Sequence, residues 1–162
     1  MSQTVAARSL DEYLRQRRYA PDAERIRSEW QGRLQHYLAD VGILFQEIQA
    51  WLRPFKDAGS VSYSIGRTLI TEENLETYEA PEMTMFFADQ RVVLRPAGTN
   101  VFGALGRVDI LAKNGTATLV LKQWGQWQFF RREYQGNELA RNLYTDLTED
   151  DFKAVIFNLI SD

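Results

Sequence analysis

From Trp30 to Trp51 the apolar residues recur at alternating intervals of four and three: Trp30, Leu34, Tyr37, Val41, Leu44, Ile48 and Trp51. Spacing of this kind marks the seam of an amphipathic helix. Leu38, Phe45 and Leu52 widen the stripe on one side. A narrow seam suits a coiled coil between chains, and a wide one suits docking on a sheet or bundle. The widening predicts docking on the protein's own sheet, with self-association through the long helix as the alternative. Pro21 and Asp22 open this helix, and Pro54 is expected to end it. Ahead of it, Ser9 and Glu12 have capping-box spacing, and Leu10, Tyr13 and Leu14 give a small apolar face. That predicts a short helix reaching Arg18.

Beyond Pro54 the period drops to two. Val61, Tyr63 and Ile65 alternate with Ser62 and Ser64, the pattern of a half-buried strand. The stretch 71–82 is polar and acidic, with Glu72, Glu73, Glu76, Glu79 and Glu82, and reads as a loop or a short edge piece. Residues 83–87 and 91–95 predict a hairpin about Ala88, Asp89 and Gln90. Residues 107–112 and 116–122 predict a second, turning at Lys113, Asn114 and Gly115, where the Asn-Gly pair would supply positive φ angles. Residues 127–131 continue the meander. Thr148 then caps a final helix, with Glu149, Asp150 and Asp151 in its first turn and Phe152, Val155, Ile156, Leu159 and Ile160 on its apolar face. The order is a short helix, a long helix, about six antiparallel strands and a C-terminal helix. Hairpin-length connections without βαβ alternation predict an α+β domain with helices packed on an antiparallel sheet.

Composition narrows the class. The 162 residues fit one domain, 1–162, with 1–20 as a loosely attached helical appendage at most. The chain is 44% hydrophobic and 12% aromatic, enough to build a core without a metal or a disulfide. It contains no cysteine, which removes thiolate zinc sites, iron–sulfur clusters and cysteine nucleophiles. The first residues form no apolar signal region, and no apolar run approaches the ~20 residues of a membrane span. A cytoplasmic protein is expected. A net charge of −3 gives no general basic field for nucleic acid.

No stretch spells out a catalytic site. The single histidine, His36, has no histidine partner for a metal and no Gly-x-Ser-x-Gly elbow to serve, so a structural or surface role is expected. The glycine-rich stretch 98–106 leads into a strand and lacks a following Lys-Ser/Thr, the wrong context for a phosphate loop. The acidic run 72–82 lacks the regular spacing and glycine of a calcium loop. Asp109 on one strand and Lys122 on the next resemble restriction-type nucleases, in which two carboxylates hold magnesium and a lysine steadies the attacking water. Here the second carboxylate position is Val120, so the pair reads as an ordinary hairpin salt bridge. No catalytic residue, metal ligand or cofactor is expected.

The strand faces are more informative. Val92, Leu94, Val108, Ile110, Leu119 and Leu121 form an apolar face. Arg91, Val93, Arg95, Arg107, Asp109, Leu111, Thr118, Val120 and Lys122 form the other, more apolar than a solvated face needs to be. Trp124, Trp127, Arg131 and Arg132 follow closely and could extend it. Tryptophan, tyrosine and arginine dominate protein interfaces. The candidate contacts are therefore Arg95, Arg107, Asp109, Val120, Lys122, Trp124, Trp127 and Arg131. The expected function is a non-enzymatic protein-binding module: an adaptor, an immunity or inhibitor protein, or a subunit of a larger assembly. The alternative is a small-ligand or single-stranded nucleic-acid binder using the same face. Either reading holds only if the N- or C-terminal helix of the chain does not cover that face.

Overall fold

The computed structural model describes residues 9–11, 19–73, 75–99 and 103–162. Helix α1 (Tyr19–Asp57) is followed by strands β1 (Val61–Ile70), β2 (Tyr78–Phe87), β3 (Gln90–Gly98), β4 (Arg107–Ala112), β5 (Gly115–Gln123), β6 (Gln126–Gln135) and β7 (Glu138–Asp146). Helix α2 (Glu149–Ile160) closes the fold. The strands form one antiparallel sheet in chain order, β1 to β7. This is the expected α+β architecture with seven strands. Ser9, Leu10 and Asp11 are helical, and the rest of the predicted short N-terminal helix lies outside the described residues.

The seam of α1 docks on the sheet. Leu34, Tyr37, Val41, Leu44, Phe45, Ile48 and Leu52 are buried and share one cluster with Val92, Leu94, Val108, Ile110, Leu119 and Leu121. Phe152 and Ile156 of α2 join the same cluster, so both helices lie on the same face. Burying each such side chain contributes ~1.5–3 kcal/mol against leaving it in water. The buried stretch from Leu34 to Leu52 is about 27 Å long at the helical rise, close to the ~30 Å of a nine- or ten-residue strand. Upstream of it the helix overhangs the sheet, and residues 24–29 are exposed on all sides.

Pro54 does not end α1. Proline removes only the bond to the carbonyl of residue 50, and the turn it begins continues to Asp57. The stop is Gly59, at φ 82°, where Ser60 N–H donates to Phe55 O at 2.9 Å and Gly59 N–H to Lys56 O at 3.0 Å. The β4–β5 turn also differs from expectation. Ala112 pairs with Gly115, leaving Lys113 and Asn114 as the turn, and the positive φ falls on Gly115 alone. The cap of α2 is as expected, with Asp151 N–H donating to Thr148 Oγ1 at 3.1 Å.

The meander sorts its connections by end. The hairpin turns at 88–89, 113–114 and 136–137 share one end of the sheet. The loops 71–77 and 99–106 and the β5–β6 turn share the other.

Candidate functional site

The loop end is tied down by a polar knot. Tyr37 Oη donates to Arg107 O at 2.6 Å and accepts from Gly98 N–H at 3.2 Å. Arg33 donates to Thr99 O at 2.7 Å and Ala104 O at 3.0 Å. Glu72 accepts from Thr99 N–H at 2.7 Å, from Thr99 Oγ1 and from the Tyr78 hydroxyl. Burial pushes both tyrosine hydroxyls above the usual phenol range, and at Tyr78 the bond to Glu72 pushes further. Both stay protonated donors at any physiological pH. The knot fastens α1 to the glycine-rich loop, and among its groups Arg33 Nε is buried without a hydrogen-bond partner.

His36 has a task here too. Its ring stacks on Trp124 with centroids 3.8 Å apart and planes 10° apart, and Nε2 lies 4.0 Å from Asp40 Oδ2. Asp40 accepts from Gly125 N–H at 2.9 Å, and its carbonyl accepts from Trp127 Nε1 at 3.4 Å. This clamp joins α1 to the β5–β6 turn. Trp124 and Trp127 therefore sit on the helix side of the fold and do not extend the second sheet face. Trp127 is 8% exposed and belongs to the core. Arg131 also departs from that face, lining a groove against Ala154 and Val155 of α2. Arg132 stays, with its guanidinium 5.8 Å from the Phe130 ring centroid.

Asp109 and Lys122 are not brought together. Asp109 pairs with Arg107 on its own strand at 2.7 Å, and Lys122 donates to Gly103 O at 3.0 Å. The register sets Asp109 opposite Thr118, four residues along β5 from Lys122, or about 13 Å. The expected hairpin salt bridge is absent, and the nuclease-like pairing loses its geometry. No group of three His, Asp or Glu side chains poised for a metal exists among the described residues.

The described helices pack on the other face and leave the second sheet face without a helix of theirs. Val93 and Val120 lie outside the helix-side cluster, yet are 3% and 4% exposed. Val93 stands between Thr84 and Leu111, and Val120 between Arg107 and Gln128. Neither residue belongs to the cluster that the described helices share. Arg95 is paired with Glu82 at 2.7 Å, as Arg107 is with Asp109. Lys122 Nζ lies 4.3 Å from the Tyr144 ring centroid, and Tyr144 packs on Phe130 at 5.4 Å. Toward the hairpin end Arg91, Val93, Arg95, Leu111 and Lys113 line a depression of about 570 Å³, with Asp89 at its rim. Arg95, Arg107, Asp109, Val120 and Lys122 thus share one surface, joined by Glu82, Phe130 and Tyr144.

The sequence missed those three for separate reasons. Glu82 lay in a stretch read as loop, Tyr144 in a strand not foreseen, and Phe130 in a strand, 127–131, whose expected contacts were only Trp127 and Arg131. Among the described residues no helix is long and apolar enough to cross a membrane. Comparison with known protein families, with curated proteins and with solved structures finds no match to this chain.

Proposed function

We propose that this chain is a non-enzymatic binding module whose second sheet face receives an acidic–apolar segment of another protein. The supporting observation is a broad face, turned away from the cluster that α1 and α2 share, on which Val93, Leu111 and Val120 lie among Arg91, Arg95, Arg107 and Lys122. A depression floored by Val93 and Leu111 and flanked by Arg91, Arg95 and Lys113 suits a partner that inserts an apolar side chain there and sets carboxylates beside the cations. Nucleic acid fits less well. Phosphate binding along a nucleic acid draws on a broad basic field, whereas the chain carries a net charge of −3.

The test uses two substitutions at positions that are not fully buried, Arg91→Glu and Leu111→Glu. Affinity capture followed by titration of the captured protein should show binding weakened at least tenfold by either, with the melting temperature unchanged. Lys122→Ala should weaken binding modestly and mainly slow association. A fluorescent single-stranded oligonucleotide serves as the counter-probe. Oligonucleotide binding that persists at moderate salt and is lost in Arg91→Glu would defeat this reading in favour of nucleic acid.

A further inference from the structure

The two edges of the sheet are built differently. Strands β1 and β7 each have a neighbour on one side only. An edge strand exposes a row of unpaired N–H and C=O groups, which proteins usually blunt with charges, proline or bulges. Strand β7 is blunted, carrying Glu138, Arg141 and Asp146, and its pairing with β6 has a register shift at Glu133 and Tyr134. Strand β1 is not. Over ten residues, VSYSIGRTLI, it carries one charge, Arg67, and no proline. Its pairing with β2 runs unbroken from Val61 opposite Phe87 to Ile70 opposite Tyr78. Ile65 and Leu69 are 50% and 69% exposed along it.

We propose that β1 pairs with β1 of a second copy of this chain, antiparallel and centred on Ile65. The choice of occupant rests on the strand's own residues. With Ile65 opposite Ile65, Leu69 falls opposite Val61 and Arg67 opposite Tyr63, all on one face. Ser62 then faces Thr68, and Ser64 faces Gly66, on the other. Each apolar residue meets an apolar one, and Arg67, which Glu79 holds at 3.0 Å, comes opposite Tyr63 and meets no like charge on the facing strand. A register centred on Arg67 would oppose two like charges instead. Because paired residues keep their faces, the helices of both copies lie on the same side of a continuous sheet. The edge is separate from the second face, so a partner there is not displaced. One strand pair is small beside the ~1,200–2,000 Å² of a stable interface, so the association is expected to be weak and concentration-dependent.

The full-length chain should show a concentration-dependent monomer–dimer equilibrium by sedimentation or light scattering. Ile65→Lys should raise the dissociation constant at least tenfold with no change in melting temperature, since residue 65 is half exposed. The absence of cysteine allows a register test. Ile65→Cys should give a disulfide-linked dimer on mild oxidation, because directly opposed residues lie within disulfide reach. Leu69→Cys, which faces Val61, should not. A chain that stays monomeric into the hundreds of micromolar overturns the proposal, whether the edge is bare or covered by another segment. So does a dimer indifferent to Ile65→Lys, or cross-linking through Leu69→Cys but not Ile65→Cys.

Discussion

Tyr37 is a seam residue with two roles. Its ring fills the core, and its hydroxyl bonds to Arg107 O and Gly98 N–H, which pair at the facing ends of β3 and β4 far along the chain. Gly106 lies directly against that ring, and a Cβ there would overlap it. Gly106→Ala should therefore destabilise the fold by about 1–3 kcal/mol, as overpacking does, measured by urea unfolding. Tyr37→Phe should cost about 1–2 kcal/mol at neutral pH for the lost bonds. Alkali should reverse part of that difference. Burial holds the folded Tyr37 hydroxyl above its ordinary value of 10.0. Once the pH passes 10.0, tyrosine ionises in the unfolded chain and not in the folded one, so the stability tied to this proton declines as pH rises. The melting temperature of Tyr37→Phe should fall less steeply above pH 10 than that of the wild type, and parallel decline would refute this. The ring's burial was legible from heptad spacing. The hydroxyl's partners were not, because nothing local encodes contacts about seventy residues away. At His36 the signal was present: Asp40 lies four residues on, on the same helical face.

Among elements, α1 was the most legible, because its wide stripe distinguished docking in cis from a coiled coil. Leu44 is fully buried in that interface. Leu44→Asp would bury an unpaired carboxylate and should unfold the monomer, costing several kcal/mol. A folded variant with altered oligomeric state would contradict the docked helix. Two strands were illegible in part or whole. Residues 78–82 of β2 carry glutamates and Pro81, which argue against a strand, but β3 pairs only with residues 83–87. Pro81 thus needs no ladder bond on that side. Strand β7 pairs only with β6, and its side chains are mostly exposed, so selection for alternation is weak there. The turn before it, with Gly136 at φ 63°, was its readable sign.

For the molecule as a whole, the sequence separated the two sheet faces correctly but could not say which one the helices cover. Both helices lie on the face of Val92 and Leu94, and Val93 and Val120 lie outside the cluster they form. The site was partly legible for the same reason: alternation within a strand assigns faces, whereas Trp124, Trp127 and Arg131 were grouped by nearness in sequence. Asp109 held by Arg107 is a poor metal ligand. Millimolar magnesium or manganese should leave the melting temperature unchanged, and a shift abolished by Asp109→Ala would restore a metal-binding reading. The strictly sequential meander also bears on how the chain is born. Each strand finds its partner in the strand just made, so the sheet can grow in the order of synthesis. The α1 seam has no such luck: about seventy residues separate Leu52 from Leu121, several seconds of translation at roughly 5–20 residues per second. During that interval Val61, Met83 and Met85 cover only part of the heptad stripe, and neighbouring ribosomes on one message present the same uncovered remainder. The coiled coil that the finished fold forgoes is the hazard its synthesis must outrun, and prompt closure of the hairpins removes it.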